Sequence, residues 1–392
     1  MERKEVVLSI NSGSSSVKFS VFEIAPEGPR RWISGSIERI GLDGTIMRAA
    51  SVGGESSVIP IADGSSHRGA APDLISWLDG RLAGCEIRGI GHRVVDGGPS
   101  LSKHQAITPD VVSELKRMEP LDLAHLPREI AMIEAFEAHF PSVRQVACFD
   151  TAFHRDLPRV AQLLPIPRRY DRAGVRRLGF HGLSYTYLME ELGRLGADGG
   201  RIVLAHLGSG ASMAAVKDGR PVDTSMAFTA MAGLVMGTRC GDLDPGFLVY
   251  LMREEKLGAD QIDDFISKQC GLLGVSETSP DMHELIGRRT TDTRAAEAVE
   301  LFCYQARKQI GAYAAALDGL DSLVFAGGIG EHSPEVRSEI CLGLGFLGVE
   351  IDPDANAANS VLISTSDSRV SVRVIPTDEE IVIARIVLRL HA

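Results

Sequence analysis

The chain has 392 residues, of which 44% are hydrophobic and 24% charged, a composition typical of a globular protein long enough for two domains. Its 41 lysines and arginines against 52 aspartates and glutamates give a net charge of −11, which argues against a nucleic-acid-binding protein. No apolar run has the length of a membrane span and the first residues lack a signal-peptide pattern, so we expect a cytoplasmic protein with no membrane partner.

The first predicted elements are a strand, a polar turn and a second strand within residues 6–24. The apolar run VVLSI precedes NSGSSS, and VKFSVFEI then resumes the alternation of a strand. This pattern predicts a β-hairpin whose tip of backbone N–H groups and hydroxyls suits an anion such as phosphate. An ordinary turn rich in serine and glycine has the same composition, so both interpretations stay open for this stretch alone.

The same pattern returns 196 residues later, which is half the chain length. VLAHLGSGASM at 203–213 aligns with VLSINSGSSSV at 7–17, and Ser212 then aligns with Ser16. We predict a duplication in which two related domains present their hairpins to one shared cleft. A chance similarity between two turns is the alternative.

The rest of the chain alternates short apolar strands with helical stretches. IRGIGHRVV, RQVACFD, SLVFAGG and VRVIP are typical of strands, whereas PREIAMIEAFEAHF and residues 293–317 are typical of helices. This alternation predicts an α/β protein. We also expect a domain boundary near Asp150, where a strand ends and irregular chain begins, and a glycine-rich turn at 327–330 before a helix that Ser333 caps.

The six cysteines are scattered along the chain without a CxxC pair. This spacing favours reduced, buried thiols and does not indicate a zinc site. The cysteines are Cys85, Cys148, Cys240, Cys270, Cys303 and Cys341.

Several polar clusters lie at predicted strand ends or in glycine-rich turns. Arg93 precedes an Asp-Gly-Gly turn, Asp150 ends a strand, His181 lies between glycines and Arg239 lies in MGTRCGDLDPG. Each alone has a structural alternative, such as a surface charge or a helix cap. Together they compose a phosphoryl-transfer site, because guanidinium groups stabilise the charge that spreads over the transferring oxygens.

Phosphoryl transfer from a nucleotide also requires a divalent cation. Mg²⁺ needs few protein oxygens, because it keeps water and nucleotide phosphates among its ligands. Asp150 and the pair Glu379-Glu380 in PTDEE are candidates. The acidic pair also suits a helix N-terminus, and both roles are compatible.

These segments, in this order, resemble the acetate kinase family of the acetate and sugar kinase, heat-shock protein and actin superfamily. The similarity covers about residues 6–384 through INSGSSSVKF, GHRVVDGG, FDTAFH, GFHGLS, HLGSGAS, GLVMGTRCGDLDPG, AGGIGE and PTDEE. It implies an α/β fold of two duplicated ribonuclease-H-like (actin-like ATPase) domains with an interdomain cleft. The implied domains are 1–150 with about 377–392, and 151–376.

The resemblance further implies a homodimer that reversibly phosphorylates acetate to acetyl phosphate with ATP, with propionate or butyrate as the alternative acceptor. The residues implied in catalysis are Arg93, Asp150, His181 and Arg239. The residues implied at the carboxylate substrate are Arg93, Val95 and Phe180.

The resemblance also implies Asn11 and Glu379 at the metal ion, which would be Mg²⁺ with Mn²⁺ as a substitute. The residues implied at ATP or ADP are Lys18, His206, Leu207, Gly208, Ser209, Gly210, Asp281, Met282, His283, Gly328, Ile329, Gly330, Glu331 and His332. A non-catalytic nucleotide-binding protein of the same superfamily would not need Arg93, His181 and Arg239 together, and their joint presence favours the kinase.

The chain departs from the family's usual pattern around the nucleotide and the acyl group. Met282 and His283 stand where a Phe-Arg pair is usual, so we expect relaxed selection among ATP, GTP and ITP. Ala124 and Ala230 stand where Leu and Pro are more frequent, which predicts a wider acyl pocket and use of propionate comparable with acetate. Asp96 replaces a usual histidine, with no effect that the sequence predicts.

Overall fold

The computed structural model describes residues 3–54, 56–123 and 125–391, without the side chain of Leu121. The chain forms two compact units. Unit 1 comprises Met1–Arg155 and Asp378–Ala392, and unit 2 comprises Asp156–Thr377. In the described residues no helix has the length and hydrophobicity needed to cross a membrane.

Each unit contains one mixed β-sheet. The strands of unit 1 are Glu5–Ser12 (β1), Ser16–Ala25 (β2), Gly28–Glu38 (β3), Ile46–Ser51 (β4), Ser56–Pro60 (β5), Glu86–Val94 (β6), Gln105–Ala106 (β7) and Gln145–Phe149 (β8). The strands of unit 2 are Arg201–Leu207 (β9), Ala211–Lys217 (β10), Arg220–Thr224 (β11), Ser322–Ala326 (β12) and Ser371–Val374 (β13).

The two sheets repeat one topology. Their orders are β5-β4-β3-β2-β1-β6-β8-β7 and β11-β10-β9-β12-β13. In both, an antiparallel hairpin leads into parallel strands, since β1 pairs with β2 and β6 as β9 pairs with β10 and β12. The order β3-β2-β1-β6-β8 thus matches β11-β10-β9-β12-β13, and the predicted duplicated α/β fold is confirmed.

Helices pack around the sheets. They are His67–Arg81 (α1), Pro109–Met118 (α2), Leu126–His139 (α3), Arg159–Gln162 (α4), Arg168–Arg172 (α5), Gly182–Arg194 (α6), Pro245–Tyr250 (α7), Ala259–Asp264 (α8), Gly271–Ser276 (α9), Met282–Arg288 (α10), Thr293–Ala316 (α11), Gly327–His332 (α12), Pro334–Cys341 (α13), Pro353–Ala357 (α14) and Glu379–His391 (α15). β1 is buried at every residue after its first, and these buried residues include its apolar side chains, Val6, Val7, Leu8 and Ile10.

The last helix, α15, is seated against β6 of unit 1 by two glycines. A Cβ added at Gly89 would lie 2.6 Å from Cγ1 of Val387, and one added at Gly91 would lie 2.3 Å from Cγ2 of Ile383. Any larger residue would push the helix away from the sheet. The close approach fixes where Glu379, the first residue of α15, lies.

Three local expectations need correction. Gly327–His332 is a short helix and not a turn, although Gly327 has the positive φ of +75° expected of a turn glycine. A 3₁₀-helix, Asp150–His154, follows β8 where irregular chain was expected. Ser333 does precede α13 with Pro334 at its first position, but its side chain makes no capping hydrogen bond.

All six cysteines are free thiols. Cys148, Cys303 and Cys341 are buried as expected, whereas Cys85, Cys240 and Cys270 are partly exposed. Burial raises the pKa of Cys303 to about 12, so this thiol stays protonated at neutral pH.

Candidate active site

The carboxyl ends of three neighbouring strands bring Asn11, Arg93 and Asp150 together in unit 1. The strands β1, β6 and β8 are parallel, with Ile10 level with His92 and Val94 level with Phe149. Parallel strands end at one edge of a sheet, so their last polar residues converge there. The three residues were predicted from separate segments, and the structure brings them together.

Arg93 is held by a buried carboxylate. Its Nε and Nη2 donate to Oδ2 of Asp150 at 3.1 and 2.7 Å, and its Nη1 donates to Oδ1 of Asn11 at 3.2 Å. The Asp150 side chain is 0% exposed and that of Arg93 14%. Burial disfavours the charged guanidinium, but Asp150 and then Glu379 outweigh it and raise the pKa of Arg93. The arginine is therefore a fixed positive charge with its remaining N–H groups available to an anion.

A carboxylate pair lies on the other side of Asn11. Nδ2 of Asn11 donates to Oε2 of Glu379 at 2.9 Å and to Oε1 of Glu380 at 3.1 Å. Asp378 caps α15 by accepting the N–H of Ile381 at 3.1 Å. The pKa of Glu380 is raised by burial first and then by the charge of Glu379.

This donor set fits a divalent cation. Two adjacent carboxylates repel one another, and a cation between oxygens of this kind relieves that repulsion. Among the described residues no group of three or more His, Cys, Asp or Glu side chains forms a metal cage. An ion held by Glu379 would thus take its other ligands from water and phosphate, as Mg²⁺ does. Lys18 lies opposite Asn11 in the β1–β2 ladder, and its charge partly offsets the rise in the pKa of Glu380.

Val95 and Asp96 follow the last residue of β6, the strand that carries Arg93. The Val95 side chain is 3% exposed, and its N–H donates to Oε1 of Glu129 at 3.1 Å. Burial raises the pKa of Glu129 well above its usual value, Asp122 raises it further, and Arg93 partly offsets this. Asp96 accepts the N–H of Gly98 at 2.6 Å, which gives it a structural role in the turn. Ala124, expected in the acyl pocket, lies outside the described residues.

The second cluster belongs to unit 2 and contains two stacked histidines. His206 lies opposite Ser212 in the β9–β10 ladder, and Ser212 lies 2.8 Å from Nδ1 of His181. The rings of His181 and His206 are 4.3 Å apart between centroids and 24° from parallel. His181 has a φ of 59°, a left-handed conformation that costs a non-glycine residue energy and is frequent at functional sites.

Donor groups lie beside the tip of the β9–β10 hairpin. A Cβ added at Gly210 would lie 2.4 Å from Nη2 of Arg239 and 3.4 Å from Nε2 of His181. Arg239 is held by the carbonyl of Ala230 at 2.7 Å, and the N–H of Gly237 donates to the carbonyl of Ser209 at 3.0 Å. The small tip therefore exposes backbone and cationic groups together, an arrangement suited to a phosphate.

The expected nucleotide residues of unit 2 differ in exposure. The side chains of Leu207 and Met282 are 0% and 3% exposed, so they belong to the core. His283 and His332 are exposed. Asp281 caps α10 by accepting the N–H of Glu284 at 3.0 Å.

Glycines at the start of α12 lie against the same tip. A Cβ on Gly327 would lie 2.7 Å from the carbonyl oxygen of Leu207, and one on Gly208 would lie 3.8 Å from the N–H nitrogen of Gly328. The Glu331 carboxylate is used within the protein, because its Oε1 accepts the N–H of Gly327 at 2.9 Å and of Thr377 at 3.0 Å. Ile329 and Gly330 complete this short helix.

Phe180, expected at the substrate, is buried in unit 2 at 2% exposure. Sequence reasoning missed Glu129, Ser184, Tyr185 and Thr377. A glutamate within the apolar run of α3 is a signal that could have found Glu129, since a buried carboxylate requires partners. Ser184, Tyr185 and Thr377 carry no such signal, because hydroxyls of this kind occur in any helix or loop.

The fold and the two clusters define an α/β phosphotransferase built from duplicated actin-like units. The sequence model of the acetokinase family matches residues 6–385. The acetate kinase of Rhodopseudomonas palustris (strain TIE-1) is 44% identical, with 98% of each chain covered, and that of Methylocella silvestris is 42% identical, with 98% of this chain and 97% of the relative covered.

Solved structures agree with this match. Porphyromonas gingivalis acetate kinase superposes with a TM-score of 0.86 at 38% identity, covering 98% of this chain and 99% of that one. A propionate kinase from Francisella tularensis superposes with a TM-score of 0.91 at 33% identity, covering 98% and 100%. The chain belongs to the acetate kinase family, whose members are kinases that use ATP and ADP and transfer phosphate to a carboxylate.

Proposed function

We propose that the protein reversibly transfers the γ-phosphoryl group of Mg–ATP to acetate, giving acetyl phosphate and ADP, with propionate or butyrate as the alternative acceptor. The proposal rests on one observation. The guanidinium of Arg239 and Nε2 of His181 both lie beside Gly210, at the tip of the β9–β10 hairpin. This pairing of a phosphate-binding tip with a fixed cation suits a transferring phosphoryl group.

The acceptor needs no general base. A short-chain carboxylic acid is already ionised at neutral pH, so its oxygen attacks phosphorus directly while the bond from phosphorus to the β-phosphate oxygen breaks. Asp150 therefore acts by holding Arg93, and Arg93 binds the acceptor carboxylate. Val95 and Phe180 would supply apolar contacts to the alkyl group.

In this proposal unit 2 binds the nucleotide that donates the phosphoryl group. Arg239 and His181 stabilise the charge on the phosphoryl oxygens, and the residues that bind the nucleotide phosphates are His206, Gly208, Ser209 and Gly210 with the backbone of Leu207. Lys18 adds a positive charge from unit 1. Asn11 and Glu379 would hold Mg²⁺, which neutralises phosphate charge when bound.

The adenosine would lie near Asp281, His283, His332 and the glycines Gly328 and Gly330. Because Met282 is buried, it supports these residues from the core and leaves an exposed histidine as the base contact. We expect relaxed selection among ATP, GTP and ITP because Met282 stands where an aromatic ring that could stack on the base is usual.

The proposal includes a cytoplasmic homodimer that binds no nucleic acid or membrane. An apolar surface on unit 2 supports the dimer, since large hydrophobic side chains at 37% to 53% exposure cluster in residues 243–252. Aromatic residues and methionine are enriched at such interfaces. The exposed residues are Leu243, Phe247, Val249, Tyr250 and Met252. Light scattering of a Tyr250→Glu variant tests it, and an unchanged dimer mass would reject this surface.

The activity is tested by trapping acyl phosphate with hydroxylamine in the presence of ATP, Mg²⁺ and acetate, propionate or butyrate. We expect hydroxamate with acetate and propionate at comparable kcat/KM, and its loss in Arg93→Ala. No product with any carboxylate would overturn the function. Acetate favoured by about tenfold or more would reject the wider acyl pocket, because one buried methylene is worth only a few-fold.

A further inference from the structure

The two stacked histidines of unit 2 are each contacted by a serine at the same ring nitrogen. Nδ1 of His206 lies 2.9 Å from Oγ of Ser184, and Nδ1 of His181 lies 2.8 Å from Oγ of Ser212. The serines come from different elements, α6 and β10, and approach different rings. The same contact is therefore built twice.

The opposite nitrogen of each ring faces the hairpin tip. A Cβ added at Gly208 would lie 3.9 Å from Nε2 of His206, and one added at Gly210 would lie 3.4 Å from Nε2 of His181. A ligand at the tip would meet both Nε2 atoms. Whether these atoms donate or accept a hydrogen bond then depends on the tautomer of each ring.

A second hydroxyl lies behind each serine. Oγ1 of Thr377 donates to Oγ of Ser184 at 2.9 Å, and Oη of Tyr185 lies 2.5 Å from Oγ of Ser212. A hydroxyl has one proton to donate. If Tyr185 donates to Ser212 as Thr377 donates to Ser184, each serine can direct its own proton to the histidine, and Nδ1 is then the unprotonated nitrogen. The proton of the neutral ring then lies on Nε2.

The stacking of the two histidine rings favours an uncharged form of at least one ring. Two imidazolium rings with centroids 4.3 Å apart would repel one another, so the pair favours at least one uncharged ring. An uncharged ring of the wrong tautomer would present a lone pair to phosphate oxygens. The backbone N–H of Thr377 is fixed by Glu331 at 3.0 Å, which keeps its hydroxyl in place.

We propose that Ser184 with Thr377, and Ser212 with Tyr185, are positioning residues that hold His206 and His181 as Nε2–H tautomers. Both rings then donate to the oxygens of the transferring or neighbouring phosphate. The identity of that ligand rests on the proposed function. The tautomers are a property of the protein without ligand and can be measured separately.

The test uses full-length protein labelled with ¹⁵N-histidine, whose two-bond ¹H–¹⁵N spectra distinguish the tautomers. His206→Gln and His181→Gln assign the signals. We expect unprotonated Nδ1 and protonated Nε2 in both rings of the wild type. Thr377→Val should mix the tautomers of His206 alone, and Tyr185→Phe those of His181 alone. A wild-type ring protonated on Nδ1, or variants that leave both tautomers unchanged, would overturn the proposal.

Kinetics provide the second readout. Thr377→Val and Tyr185→Phe each remove one hydroxyl and should lower kcat about tenfold, which corresponds to the free energy of about one hydrogen bond. The KM for ATP should change less than about twofold. Thr377→Ser restores the hydroxyl and should rescue both tautomer and kcat, whereas failure of this rescue would count against the relay. A wild type with the expected tautomers that forms no acyl phosphate would overturn the proposed function alone.

Discussion

The hairpins β1–β2 of unit 1 and β9–β10 of unit 2 hold equivalent places in their sheets, yet their tips differ. The last ladder pair is Ser12 with Val17 in the first and Leu207 with Ala211 in the second, so residues 13–16 form one tip and 208–210 the other. The first tip exposes Ser14 and Ser15 and the second exposes Ser209, but in the second tip Gly210 lies against the side chains of Arg239 and His181.

The polar chemistry lies at different points of the two hairpins. In unit 1 it lies on the strands, where Asn11 faces two carboxylates and Lys18 stands opposite. In unit 2 it lies at the tip, beside Arg239 and His181. A duplicated topology thus conserves the position of a turn without conserving the type of group that it presents. The following predictions test this division.

The largest effect is expected for Arg239→Ala. A guanidinium that meets charge mainly in the transition state should be worth about 10³ in kcat, with a much smaller change in KM for ATP. Steady-state kinetics on the folded variant measure both constants. Arg239→Lys keeps the charge without the planar fork and should recover only part of the rate. An unchanged kcat in Arg239→Ala would reject the role.

Replacing one glycine by alanine at each tip compares the two hairpins directly. In Gly210→Ala the new Cβ would lie 2.4 Å from Nη2 of Arg239, the end of a flexible side chain, so the guanidinium moves while the fold is kept. We expect kcat to fall about a hundredfold with little change in thermal stability. In Gly13→Ala the nearest atom is Oγ of Ser16 at 3.1 Å, and a far smaller loss is expected. Equal losses would contradict the contrast.

Glu379→Gln tests the polar chemistry of unit 1, where Glu379 of α15 contacts Asn11 of β1. The amide can still accept from Asn11 but lacks the charge, so the Mg²⁺ concentration for half-maximal rate should rise about tenfold. Glu380→Gln should shift it less, because burial and Glu379 already raise the pKa of Glu380 and disfavour its charge. The reverse ranking in a Mg²⁺ titration would move the ion to Glu380.

The smallest effect concerns the turn beyond Arg93. Burial, and then Asp122, raise the pKa of Asp96 from 3.8 to about 6. The folded state holds this proton more tightly than the unfolded state, so its contribution to stability is present below the unfolded pKa and is lost as pH rises through about 6. Asp96→Asn should remove that pH-dependent loss of stability. Urea unfolding of both proteins across this range measures it, and parallel curves would disprove it.

Much of the fold and of the charged site follows from local pattern. Apolar strands followed by polar residues locate Asn11, Arg93 and Asp150, because parallel strands must end together. The helix at Gly327 could not be predicted from the sequence, since it depends on the close approach of Gly327 to Leu207 and on the hydrogen bond that the N–H of Gly327 donates to Glu331. The burial of Met282 likewise depends on packing within unit 2, and the resemblance alone placed it at the ligand.

The glycines that seat α15 also bear on the order of events during synthesis. Unit 2 is one continuous segment, whereas unit 1 lacks α15 until the ribosome has passed through all of unit 2. The nascent chain can therefore complete unit 2 first, while β6 keeps an uncovered apolar face beside Gly89 and Gly91. Glu379 and Glu380 arrive with that late helix, so a partly made chain has the hydrogen bonds between Arg93 and Asp150 but not the carboxylates that Asn11 contacts.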